Sequence, residues 1–247
     1  MRGLIAVVLL DIKRLWVDRV RLATSLIQPL LYLFVLGSGL GASSTMGGRG
    51  YLHYIFPGVL GLSLLFSSVF AAMLIVFDRQ IGFLKAVLVA PVPRVSIALG
   101  KVLSGALQAL VPATVLLLLV PVLGLGLSPL RFVELIASMW LAALTFSALG
   151  VATAARFRST TVFPIIGNAV LLPLFFLSGA LYPLDRAPPW LRALAHADPV
   201  AYAVDLMRGA VIGRYAYPPV LSICVLTAFV VVLTWLATRV FAAGDNL

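Results

Sequence analysis

Six stretches of this chain run for about 20 residues each without one charged side chain: 22–40, 55–77, 102–123, 135–155, 162–181 and 220–238. A helix rising about 1.5 Å per residue needs about that many apolar residues to cross the roughly 30 Å hydrocarbon core of a bilayer. Only helices and closed barrels satisfy every backbone polar group there without water. Unbroken apolar runs such as Val115 to Val120 are not the period-two alternation of barrel strands. The expected fold is therefore an all-α integral membrane protein with six transmembrane helices.

Composition closes the alternatives. Of the residues 62% are hydrophobic and 11% charged, with a mean hydropathy of +1.13, whereas about 25% of a soluble domain is charged. The same figures exclude intrinsic disorder. A single cysteine, Cys224, excludes an internal disulfide and a cysteine-rich metal site. The net charge of +10 would suggest nucleic acid in a soluble protein, but here topology accounts for it. Alternate flanks of the six spans hold twelve Lys and Arg on one side, Lys13, Arg14, Arg79, Arg94 and Lys101 among them, and six on the other. The positive-inside rule places the richer side and both termini in the cytoplasm, and no nucleic-acid partner is implied.

Residues 1–247 thus read as one transmembrane domain. It divides into an N-terminal segment (1–21), spans one and two (22–77), a cytoplasmic loop (78–101), spans three to five (102–181), an outer segment (182–219), and span six with the tail (220–247). In the first segment Asp11, Arg14, Asp18 and Arg21 share one helical face opposite Ile12, Leu15, Trp16 and Val20. That pattern describes either an amphipathic helix at the cytoplasmic interface, anchored by Trp16, or a positively charged flank that orients span one. In the loop, Ile81, Leu84 and Leu88 recur at helical spacing until Pro91 and Pro93 stop the helix. A short helix parallel to the membrane follows, either a snorkelling connector or a lever for a cytoplasmic partner.

The outer segment carries two helix starts. Pro189 suits the first turn of one helix, and Asp198 as N-cap with Pro199 at the first helical position opens a second. Neither helix is long enough to span. Trp190, Leu191, Leu194, Tyr202 and Leu206 supply apolar faces, while Asp185, Arg186, Arg192, Asp198, Asp205 and Arg208 are expected to prefer water. The pair either dips into the outer leaflet as a re-entrant hairpin beside a cavity or lies on the surface. His53 and His196 read as interfacial anchors.

Certain chemistry is missing from the sequence. The spans hold no ionisable residue of the kind that ion-driven pumps carry, only mild polar groups such as Gln28, Ser67, Asn168 and Ser178, which are the pathway candidates. Such a pathway favours membrane lipids or a small hydrophobic substrate over an ionic cargo. No nucleophile and base, and no carboxylate pair, lie together in the spans. No phosphate-binding G-x-x-x-x-G-K-[ST] loop exists, since Gly100-Lys101 is followed by Val102 and residue 95 is Val. Active transport would need an ATPase on another polypeptide.

In order and spacing, the pieces resemble a family. The loop Gly82-Phe83-Leu84-Lys85 through Leu88-Val89-Ala90-Pro91-Val92-Pro93-Arg94 to Gly100-Lys101 is followed by Leu172-Pro173, Ser178-Gly179 and Tyr182-Pro183. Pro189-Trp190-Leu191 and Asp198-Pro199, with Tyr202, Asp205 and Arg208, complete the set. Essentially the whole chain resembles the ABC-2 type permeases, most closely the daunorubicin-resistance type, with lipooligosaccharide exporters as near relatives.

The resemblance implies a prokaryotic plasma-membrane permease that pairs with a second copy, as homodimer or paralogue heterodimer, and binds two ABC ATPase subunits. ATP and magnesium would sit on those subunits, so this chain would be no enzyme and hold no cofactor. Arg79, Gly82, Leu84, Leu88, Pro91 and Arg94 would form the ATPase-coupling helix. Pro183, Trp190, Asp198, Pro199, Tyr202, Asp205 and Arg208 would form a re-entrant outer gate. Asp198 stands where asparagine is common, and Ala86 where an acid is often found, which shifts the expected ATPase contact towards Arg79 and Arg94. The competing readings are an intramembrane lipid-modifying enzyme and a non-transporting membrane anchor.

Overall fold

The computed structural model describes residues 2–17, 19–39, 47–82, 93–157 and 159–243. Every regular element among them is helical. Helix α1 (Arg2–Val17) precedes α2 (Arg19–Leu31), which continues through a π-helical turn at Tyr32–Leu36. Pro29 removes a backbone donor just before that turn, a usual origin of such irregularity. Helices α3 (Gly47–Ala71) and α4 (Met73–Gln80) form one nearly continuous rod, and α5 (Arg94–Leu117), α6 (Pro129–Ala154) and α7 (Val162–Leu177) follow. A 3₁₀ turn (Leu184–Arg186) leads to α8 (Pro189–Ala197), α9 (Pro199–Ile212) and the last helix, α10 (Pro219–Ala243).

Among the described residues, four helices are long and apolar enough to cross a membrane: Gly50–Gln80, Val95–Leu117, Pro129–Ala154 and Pro219–Phe241. The other two expected spans correspond to shorter apolar helices, Ala23–Gly39 and Val162–Leu177. Several bounds differ from those expected. The third span stops at Leu117 rather than residue 123, because Pro121 and the left-handed Gly124 (φ +69°) turn the chain. The fifth stops at Leu177 rather than residue 181, where Ser178 and Gly179 (φ +71°) take over. The fourth starts early because Ser128 caps it and Pro129 occupies its first turn.

Helix α6 is the hub of the bundle, packing on α3, α5, α9 and α10. Small residues make this possible: a Cβ on Gly150 would lie 2.8 Å from Val69 Cα and 3.3 Å from Ser68 O, so α6 meets α3 backbone to backbone. Helix α10 is largely open on its outer side, with Val220, Val231 and Trp235 exposed, as a lipid-facing helix requires.

Polar residues are more buried than expected. Helix α1 packs along α5 and buries Val8, Asp11 and Leu15, while Lys13 is exposed and Arg14 partly so. In the outer segment Asp198, Asp205 and Arg208 are buried rather than solvated, because α9 is enclosed by α3, α6 and α10. Their hydrogen bonds to backbone groups, given below, are what make that burial tolerable.

Candidate functional site

Where α1, α4 and α5 meet, a charged cluster is largely buried, with Arg14 at its partly exposed edge. Lys101 Nζ lies 3.0 and 3.1 Å from the two Asp11 carboxylate oxygens and 3.2 Å from Asp78 Oδ2. Arg14 Nη1 donates to Asp78 Oδ1 at 2.8 Å, and Ser104 Oγ donates to Asp11 Oδ2 at 2.8 Å. Asp11 and Asp78 are each 1% exposed. Two acids balance two bases, so the group is neutral as a whole, yet removing any member leaves a buried charge unmatched. Asp78 lies near the end of α4 and Lys101 two turns into α5, so the cluster holds the helices on both sides of the long loop against α1. Nearby, Arg79 donates to Ala155 O (2.9 Å) and Phe157 O (3.2 Å), satisfying carbonyls left open where α6 ends.

Halfway along the bundle, α2, α3 and α5 enclose a cavity of about 280 Å³, with Leu15 of α1 at its edge. Gln28, Ser63, Ser67 and Gln108 give it polar lining, and Phe66 and Phe70 give it aromatic walls. Two of the pathway candidates, Gln28 and Ser67, thus come together. The other two do not. Asn168 lies on the exposed side of α7, and Ser178 is buried in a turn, donating to Phe175 O at 2.6 Å and accepting from Ala180 N–H.

The opposite end is closed by α8 and α9. Asp198 Oδ1 accepts the Val200 N–H at 2.8 Å, the expected cap, with Pro199 in the first turn. Burial pushes the Asp198 carboxyl up to about 7, against the opposing pull of that N–H. Asp205 accepts from Ala216 N (2.8 Å) and Tyr217 N (3.1 Å), pinning the chain that leads into α10. Three residues on, one turn of α9 later, Arg208 donates to Gly179 O (3.0 Å) and Ala180 O (3.2 Å) and stacks 4.0 Å over the Tyr54 ring. Tyr202 donates to His196 O at 2.8 Å and packs on Tyr217. Pro183, Asp205 and Arg208 border an outer cavity of about 640 Å³, while Trp190, 62% exposed, stands apart from it.

That outer cavity holds a surprise for the sequence reading: His53 and His196, taken as separate anchors, both line it, together with Arg192 and Arg214. His53 Nε2 is 3.0 Å from Leu123 O. Nothing in the spacing of two histidines 143 positions apart predicts that meeting.

Comparison with known proteins decides the family. Residues 3–212 match the ABC-2 type transporter family. The chain belongs to that family. It is similar to Nodulation protein J of Rhizobium leguminosarum bv. trifolii, 30% identical over 204 residues covering 81% of this chain and 75% of the relative. It is also similar to Inner membrane transport permease YadH of Escherichia coli (strain K12), 28% identical over 245 residues covering 95% and 91%. The resemblance drawn from the sequence is thus borne out, and the chain is a multi-pass inner-membrane ABC-2 permease.

On this ABC-2 permease the expected coupling residues fall in three groups. Arg79 is bonded to the end of α6, and Gly82 closes α4 in a left-handed conformation (φ +76°). Arg94 opens α5. Leu84, Leu88 and Pro91 lie outside the described residues. The residues that sequence reasoning missed are Asp11, Asp78, Ser104 and Lys101. Asp11 and Arg14 sit at helical spacing, which was legible, but their partners are 64 to 93 positions away.

Proposed function

We propose that this permease is the membrane subunit of an ATP-driven exporter. In this reading it has six spans with both termini cytoplasmic, pairs with a second permease copy, and binds two ABC ATPase subunits that hold ATP and magnesium. It moves a hydrophobic or amphiphilic molecule, drug-like or lipid-like, outward across the inner membrane. The ATPase docks on the loop from Asp78 to Arg94, and the α8–α9 hairpin acts as a re-entrant gate at the exit.

The observation that carries this reading is the buried cluster of Asp11, Arg14, Asp78, Lys101 and Ser104. A mere connector between two helices has no need of three buried charges, Asp11, Asp78 and Lys101, beside it, and their desolvation is costly. A loop that receives force from a partner does need rigid roots, so that displacement passes into α1, α4 and α5 rather than dissipating in the loop. Coexpression with a P-loop ATPase encoded beside it, followed by copurification, tests the reading. The wild-type permease should retain the ATPase, and the double variant Arg79→Glu with Arg94→Glu should release it or uncouple hydrolysis from transport. Unchanged assembly and transport in the double variant would return the loop to a connector.

A further inference from the structure

Two polar atoms in the apolar middle of the bundle have no hydrogen-bond partner among the described residues: Ser63 Oγ and Gln108 Oε1. Ser63 is 2% exposed and Gln108 4%. Ser222 Oγ and Thr234 Oγ1 of α10 share this condition, whereas several other polar side chains of the membrane helices avoid it. Ser147 Oγ bridges to Val102 O at 2.7 Å, while Thr114, Ser138 and Thr153 bond the carbonyl four residues back on their own helices. Ser63 and Gln108 instead border the 280 Å³ cavity that Gln28 and Ser67 also line. Phe66, Phe70 and Pro112 form its apolar walls, and none of the described residues that line it is ionisable.

That lining defines a ligand by exclusion and by fit. An ion would leave its hydration for a site without a countercharge. A plain hydrocarbon would seal Ser63 and Gln108 away from any partner, and sites built to hydrogen-bond discriminate strongly against analogues that lack the group. The volume is about twice that of a cavity that takes one benzene ring, so it accepts two rings of a ligand. We propose that this cavity is a substrate-binding site within a single protomer, selective for an uncharged aromatic amphiphile that carries a hydrogen-bond donor and acceptor. Gln108 and Ser63 supply the complementary groups, and Phe66 and Phe70 the stacking surface. The inference rests on the export reading for the word substrate, and its test does not.

The probe is 4-hydroxybenzophenone, which is uncharged, has two rings, a phenol donor and a ketone acceptor, and crosslinks on illumination. The full-length permease in lipid nanodiscs is labelled with it, with and without the copurified ATPase, and adducts are mapped by mass spectrometry. Adducts are expected to concentrate on residues 62–70 and 108–112 relative to the lipid-facing Val231 and Trp235. Benzophenone lacking the hydroxyl should show that enrichment at least fivefold more weakly. Gln108→Leu should lower it at least fivefold. Gln108→Met, which keeps the length of the side chain, and Ser63→Ala, which removes one atom, serve if the leucine variant fails to fold, and each should lower it at least threefold.

Adducts spread evenly over the helices, equal labelling by both probes, or labelling indifferent to these substitutions would overturn the proposal and leave the cavity a pocket of solvent or lipid. Failure to retain an ATPase would instead sink the export reading and leave the labelling result standing.

Discussion

Replacing Asp198 with asparagine should stabilise the outer hairpin above neutral pH and remove a pH dependence that the wild type shows. The carboxyl is 2% exposed, with Oδ1 capping α9 and Oδ2 lacking a partner among the described residues. In the unfolded chain its proton leaves near pH 3.8, and in the folded hairpin burial holds it to about 7. Between those values the folded form binds the extra proton, so stability falls as pH rises from about 4 to 7 and stays flat above. A carboxyl so displaced corresponds to a loss of order 4 kcal/mol across that window. Asparagine keeps the capping oxygen and carries no charge. Asp198→Ala also removes the charge, but loses the cap, worth about 0.5–2 kcal/mol. Thermal unfolding of the detergent-solubilised chain between pH 5 and 8 provides the assay, each variant being compared with wild type so that other titrating groups cancel. The wild-type midpoint should fall with pH relative to both variants, and the asparagine variant should exceed the alanine variant throughout. Parallel wild-type and asparagine curves would refute the buried-carboxyl argument, and equal midpoints for the two variants would refute the cap.

Lys101→Met should destabilise the fold by about 3–5 kcal/mol by leaving the buried Asp11 without its cation while Asp78 keeps Arg14, read as a lower midpoint or loss of folded protein on gel filtration. Gly150→Ala should cost about 1–3 kcal/mol, because the new methyl would press on the α3 backbone at Val69 and Ser68; an unchanged midpoint would show that α6 can shift. Reporter fusions at Leu247 and at Gly47-Gly48 should report opposite sides of the membrane, the tail being cytoplasmic.

The helices were legible because membrane insertion depends on composition within one window, which sequence displays directly. Bounds were legible where local chemistry sets them, as at Asp198-Pro199, whose cap the structure contains, and were missed where two signals competed. Residues 118–123 are as apolar as any span, yet Pro121 and Gly124 end the helix at Leu117. Charged residues were read worst. Asp11, Asp205 and Arg208 look like water-facing groups one at a time, and only tertiary packing provides Lys101, the Ala216 and Tyr217 amides, or the Gly179 carbonyl that make their burial tolerable. Gln28 and Ser67 were recognised as mild polar groups in two helices, but their meeting across the cavity needs the packing of α2 on α3. Asn168 and Ser178 carried the same sequence signature and do not join them.

Helix α5 links the charged cluster to the cavity through one stripe. Lys101, Ser104 and Gln108 stand at positions i, i+3 and i+7, the spacing that places side chains along a single helical face. The first two bind Asp11 of α1, and the third borders the cavity about 10 Å further along, at 1.5 Å per residue. Helix α1 repeats the arrangement, with Asp11 in the cluster and Leu15 at the cavity edge, one turn apart. A displacement of the loop roots therefore has two rigid routes to the cavity and need not cross a flexible joint. Packed helices shift as bodies rather than deform, and because Asp78 sits on the α3–α4 rod, the cluster couples α1, α3 and α5 and leaves α2, which supplies Gln28, as the cavity wall that can move against them. In such a movement Gln28 parts from Ser63, Ser67 and Gln108, which keep their places relative to one another.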